Sequence, residues 1–158
     1  MKTPLKRSPY NLWQEKLKKK PWALLAGCII FEGVTKPELA WTVFKETVLD
    51  VYPDFRHLLE DLRTERRETI DFLEMRFGVL GSQKKRAMEL VEMTEDFYSM
   101  LLAVGWEKFD PSGLSGCGRF AVESFEIFIR GRLIPKPADK ELRRYVQWAR
   151  ARGGRSHT

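Results

Sequence analysis

A chain of 158 residues with a formal net charge of +6, 43% hydrophobic and 32% charged side chains is long enough for one domain with a substantial core. Its two cysteines, Cys28 and Cys117, exclude a disulfide-dense secreted scaffold and a four-cysteine zinc or iron–sulfur site built from this chain alone. The longest apolar run, Trp22 to Phe31, has ten residues and is too short to span a bilayer. It follows Lys18, Lys19 and Lys20 as the core of an export signal would, but no small-residue cleavage site comes after it, so no leader is expected.

The chain reads as a basic arm over residues 1–9, a body over 10–152 and a tail over 153–158. A short first helix is expected from a cap at Asn11 to Lys19. Pro21 opens a second, apolar on nearly every side through Ile30 and therefore buried. Thr35, with Pro37 in the first turn and Glu38 three residues on, reads as a capping box for a third, with Leu39, Val43, Phe44 and Val48 inward. Tyr52-Pro53-Asp54 breaks the chain, and Leu58, Leu59 and Leu62 resume helical spacing. Thr64 to Met75 is expected to be helical, with Ile70, Leu73 and Phe77 facing in. A glycine-flanked loop, Phe77 to Ser82, leads to a long helix that Met100 to Val104 either extend or follow. Arg119 to Ile129 is helical. Pro135 and Pro137 enforce an extended crossing, and Asp139 caps a last helix to about Arg150. No stretch alternates with period two and no Asn-Gly hairpin signal occurs, so the expectation is an all-α protein of roughly eight helices.

Charge is unevenly placed. Residues 1–20 carry +6, residues 130–158 carry +7, and the middle carries −7. Basic ends on an acidic middle point to an anionic partner, nucleic acid ahead of a membrane surface, or to solubilising tails.

Two short motifs carry chemistry. Leu114-Ser115-Gly116-Cys117-Gly118, near 113–119, sets two glycines around one residue at the start of a helix. Its N–H groups can bind a phosphate, or the glycines simply end one helix and begin the next. Asp139 follows about twenty residues later. It reads as an N-cap, and a capping carboxylate at a rim can also serve chemistry.

The hairpin with Asp139 resembles the helix-hairpin-helix DNA glycosylase superfamily, that of endonuclease III. Ser8-Pro9-Tyr10-Asn11-Leu12-Trp13-Gln14-Glu15, Pro21-Trp22-Ala23-Leu24-Leu25-Ala26, Leu114 to Phe128 and Pro137-Ala138-Asp139 look like the catalytic domain of the methyl-CpG-binding-domain thymine glycosylases. The resemblance spans about residues 8–150 and implies two helical lobes with a cleft between them and no iron–sulfur cluster. It further implies a monofunctional glycosylase of base excision repair. Such an enzyme flips thymine or uracil from opposite guanine in double-stranded DNA and hydrolyses its N-glycosidic bond.

By the same resemblance Asp139 matches the catalytic aspartate. Gln14 matches a reader of the flipped base, with Trp13 beside it, and Phe120 an aromatic against which the base packs. Gly116, Cys117, Gly118 and Arg119 would clamp a phosphate. Lys140, Arg143 and Arg144 would contact DNA. The family's gap-filling polar residue is replaced by Glu32-Gly33, so Gly33 cannot fill the gap and Val79 or Leu80 becomes the candidate wedge. Glu141 stands where the family has a basic residue. Phe120 occupies the position of the Schiff-base lysine of strand-nicking relatives, so an abasic product without strand scission is expected. No metal or required cofactor is expected. The hairpin of such proteins can hold a monovalent cation. The expected setting is intracellular, with DNA, as a monomer and away from membranes. Two other readings stand open: a helix-hairpin-helix DNA-binding module without catalysis, and nicking through Lys140. His57 and His157 are far apart and have no placed partner acid. Cys117 has no base beside it and reads as scaffold.

Overall fold

The computed structural model describes residues 7–153, so His157 and most of the basic arm lie outside the described residues. Seven α-helices make the fold, and among the described residues there is no β-strand. They are α1 (Pro21–Phe31), α2 (Pro37–Phe44), α3 (Phe55–Thr64), α4 (Arg66–Phe77), α5 (Gln83–Val104), α6 (Arg119–Phe128) and α7 (Lys140–Ala151). The all-α architecture expected from the sequence is therefore what the structure shows. No helix among the described residues is long and apolar enough to cross a membrane.

Helix α1 is the axis of the molecule. Every residue from Trp22 to Ile30 is buried, as a helix without a polar face requires. It is packed by α2, α5, α6 and the chain just before it. Trp22 keeps its one polar atom satisfied at this depth by donating Nε1–H to Thr94 Oγ1 on α5, 3.0 Å away. Helices α3 and α4 lie against α5 and against each other. Helix α7 docks through Leu142, Tyr145, Val146 and Ala149, with the Tyr145 ring 4.7 Å from that of Phe128 on α6.

Three expectations are corrected. The first helix is not α-helical: only Trp13–Leu17 coils, as a 3₁₀ segment, and Asn11 sits at φ 49° and does not cap it. The Glu15 carboxylate takes that role. It accepts from Leu12 N (2.8 Å), Ser8 N (2.7 Å) and Ser8 Oγ (2.7 Å), which folds Ser8 of the arm into the body.

The box at Thr35 does not form either, and Lys36 is the N-cap of α2. Pro37 takes the first helical position, and the residue before a proline is pushed out of the α region. Lys36 therefore cannot be helical as a Thr35 cap would require. Leu39 is exposed while Ala40, Val43 and Phe44 face in. A π-helical stretch, Lys45–Leu49, continues α2 and keeps Thr47 and Val48 buried. The segment after Phe97 proves continuous, and α5 runs unbroken to Gly105, which stops it at φ 73°.

Candidate nucleic-acid interface

The hairpin between α5 and α6 is held from beneath. Ser115 donates both its N–H (2.9 Å) and its hydroxyl (2.6 Å) to Asp96 Oδ2 on α5. Gly116 lies at φ 75°, and a Cβ there would sit 3.2 Å from Glu89 Cβ and 3.3 Å from Ile29 Cδ1. The glycine is needed both for its backbone conformation and for the close approach to α1 and α5. Beyond it Gly118 is the N-cap of α6, exposed and with open space around it. The first N–H groups of α6 therefore face outward at the end of a helix, where an anion is favoured. Cys117 is half-buried, and burial, followed by the charges of Asp96 and Glu89, pushes its thiol up to about 12. It is a scaffold residue without thiolate character at neutral pH.

Asp139 caps α7 by accepting the Leu142 N–H on Oδ2 at 3.0 Å. It is half-buried, and Oδ1 has no partner among the described residues. What holds the chain just before it was not foreseen. Glu123 on α6, 8% exposed, accepts the Ala138 N–H on Oε1 (3.0 Å) and pairs through the same oxygen with Arg119 Nε (3.0 Å). One carboxylate thus ties the residue preceding Asp139 to the first turns of the hairpin's second helix. Arg143 Nη1 closes the same segment from α7 by donating to the carbonyls of Ala138 (3.0 Å) and Pro137 (3.3 Å). Arg119, Lys136, Arg143 and Arg150 line an open groove of about 530 Å³ with Pro135 and Pro137. Arg144 pairs with Glu141 at 3.5 Å, and Lys140 is exposed.

The 3₁₀ segment carrying Gln14 packs against α6, and from its end Lys18 Nζ sits 5.8 Å from the Tyr145 ring of α7. Gln14 is 3% exposed, and its Oε1 is buried with no hydrogen-bond partner. An unmade hydrogen bond at that depth costs about 1–3 kcal/mol. Phe120, in the first turn of α6, is half-buried. Trp13, beside Gln14 in the same segment, is half-buried. Its indole stacks on Phe31 with centroids 4.4 Å apart and fills the space over Gly27, where a Cβ would lie 2.4 Å from it.

The two wedge candidates prove to be neighbours. Gly33 is exposed at φ 69° with open space around it, and Glu32 lies 3.9 Å from Lys85. Val79, 66% exposed, and half-buried Leu80 form the turn between α4 and α5. A buried guanidinium joins the two loops. Arg86 donates to Gly81 O (2.9 Å) and to Ile29 O (3.2 Å) and Ile30 O (2.9 Å) at the C-terminal end of α1, where a cation meets the helix dipole favourably. In sequence Arg86 follows Lys84 and Lys85 and looks like a solvated face. Its one signal is the spacing to Ala87 and Leu90 on the buried stripe.

Seven helices around a glycine hairpin, with a capping aspartate on the helix after it, are consistent with the helix-hairpin-helix glycosylase fold. No protein-family model matches the chain. It is 26% identical over 147 residues to the Methyl-CpG-binding domain protein 4-like protein of Arabidopsis thaliana, an alignment that takes in 92% of this chain and 30% of that protein. The chain thus spans about a third of that relative's length, and the relation is distant.

Proposed function

We propose that the protein is a monofunctional DNA glycosylase that removes thymine or uracil paired with guanine. The observation that carries this reading is Asp139. Its Oδ2 is held by the helix it caps, its Oδ1 is unengaged, and Glu123 and Arg143 fix the backbone before it. A carboxylate so held is pre-organised to face a developing positive charge.

The chemistry follows from these groups. A base inside a duplex cannot be attacked, so it is turned out, most cheaply where pairing is already weak. The outward N–H groups at Gly118 and Arg119 hold the neighbouring phosphate. Gln14 Oε1, a buried acceptor with no partner, suits a ring N–H of the pyrimidine, and Phe120 lies at the start of α6 to pack on its face. As the bond from C1′ to the base nitrogen breaks, its electron pair leaves with the base and C1′ becomes cationic. Asp139 Oδ1 stabilises that charge and orients a water, whose oxygen bonds to C1′ while its proton passes to the carboxylate or to solvent. Phe120 offers no amine, so no covalent sugar adduct forms and the product is an abasic site. Val79 is the proposed wedge, an exposed apolar side chain on a pinned turn. A monovalent cation fits the donor type of the hairpin, since the peptide oxygens between Leu114 and Gly118 are hard and neutral. They would hold it, and its charge would favour a phosphate there.

The test is base release from end-labelled duplexes bearing G·T, G·U, A·U and normal pairs, with and without alkali. Breaks at G·T or G·U that need alkali and vanish in Asp139→Asn are expected. Breaks without alkali would return the reading to Lys140. Binding without any release would favour a non-catalytic DNA-binding module.

A further inference from the structure

A second concave site lies at the other end of the molecule. Helices α1 and α5 run antiparallel. Arg86 reaches Ile29 and Ile30 at one end, and Thr94 meets Trp22 toward the other. Gly116, Glu32-Gly33 and the Val79 turn all gather at the first end. At the far end, about 16 Å along α1, there is a groove of about 320 Å³. Its floor is Trp22, Phe55, Phe97, Leu101 and Trp106. Trp106 is 46% exposed, and Tyr98, Leu102 and Val104 extend the apolar surface outward. The Tyr98 ring is 6.1 Å from that of Phe55, so the patch and the groove are continuous.

The rim is cationic. Lys19 and Lys20 stand on one side and Arg56 on the other, all exposed, and none has an ion-pair partner among the described residues. The one acid at the rim, Asp54, is engaged as the cap of α3, accepting Arg56 N at 2.8 Å, and by His57 Nδ1 at 3.3 Å. The Arg56 guanidinium lies 5.2 Å from the Phe55 ring, and its charge, like those of Lys19 and Lys20, is left without a carboxylate among the described residues; apolar surface with such a cationic rim marks an interaction site.

We propose that this groove docks an acidic peptide segment of another protein, one large apolar side chain seated against Trp106 and Phe55 and carboxylates on either side meeting Lys19, Lys20 and Arg56. Charge complementarity selects an anionic partner. The rings select a peptide over a single nucleic-acid strand. The Phe97 and Trp106 planes meet at 83° and those of Phe55 and Phe97 at 54°, which makes a recess for a side chain and no parallel platform for successive bases. A partner held there leaves the hairpin, at the opposite end of α1, uncovered. The inference does not depend on the proposed chemistry.

The experiment is selection of a displayed library of random short peptides on the whole chain, followed by anisotropy titration of the selected sequences. Expected are peptides with a Trp, Phe, Leu or Met between acidic residues, with affinity that falls as salt rises. Trp106→Ala should weaken them roughly tenfold or more, and Arg56→Glu or the pair Lys19→Glu, Lys20→Glu by a comparable factor. Base release by Trp106→Ala and Arg56→Glu should be unchanged, so that failure here and failure of the proposed activity are told apart. If Trp106→Ala lowers the melting temperature, the exposed Arg56→Glu carries the test. The inference is overturned if nothing is enriched, if enriched peptides lack acids, or if the variants bind them as the native chain does. It is likewise overturned if an oligothymidylate displaces them with higher affinity, which would assign the groove to nucleic acid.

Discussion

Two turns meet beside the C-terminal end of α1, and they are fastened in opposite ways. The hairpin at 114–118 is held by a carboxylate, Asp96, which accepts both the N–H and the hydroxyl of Ser115, and its Gly116, at positive φ, leaves little room for a Cβ against Glu89 and Ile29. The turn at 78–82 is held by one side chain, the buried Arg86. The first arrangement spends side chains inward and offers N–H groups outward. The second offers a side chain outward, Val79. A surface that must both grip a phosphate and fill a gap needs one turn of each kind, and the difference suggests which turn does which.

Substitutions at five positions break or sharpen that division, from the largest expected effect down. Asp139→Asn keeps an oxygen to cap α7 but removes the charge. Base release should fall by about a hundredfold or more, with the melting temperature nearly unchanged. Arg86→Ala strips partners from two buried carbonyls and from the part-buried carbonyl of Gly81, so a loss of about 3 kcal/mol is expected in urea unfolding, and the Val79 turn should lose hydrogen-exchange protection while the hairpin keeps its own. Glu123→Gln retains an acceptor for Ala138 and should cost less than Glu123→Ala. The latter should lower kcat by about tenfold to a hundredfold with little change in KM, as misplacement of Asp139 would, whereas a purely structural role would shift stability alone. Gly116→Ala should destabilise by about 1–2 kcal/mol through its positive φ and the crowding by Glu89 and Ile29, and should weaken DNA binding at all sequences alike. Val79→Ala should change stability by no more than about 0.5 kcal/mol and act only on base flipping, read by 2-aminopurine fluorescence opposite the lesion. Equal loss of flipping in Gly116→Ala and Val79→Ala would sink the proposed split between the two turns.

Much of the architecture was legible from short-range chemistry. Pro21, Pro37, Gly105 and Asp139 mark helix ends because their effects act on the residues next to them. The apolar run of α1 requires burial on every side wherever it is placed. The glycine pair at 116 and 118 and the aspartate after Pro137 could be located as motifs. The errors at Asn11 and Thr35 came from reading cap residues singly. In one case a glutamate four positions on captured the backbone, and in the other a proline two positions on excluded the conformation the cap required.

The roles of Arg86, Glu123 and Asp96 were not legible, because each is defined by a distant partner. Arg86 meets carbonyls more than fifty residues earlier, Glu123 a backbone N–H fifteen residues later, and Asp96 a serine nineteen residues on. The packing of Trp13 against Phe31 and over Gly27 likewise joins residues that are distant in sequence. Local sequence sets where helices begin, end and bury a face, since those choices depend on neighbours a turn away. Which charged or polar side chain is drawn inside, and what it then holds, depends on buried backbone groups that come together only when the helices pack and that must be paired once they are shut away from water.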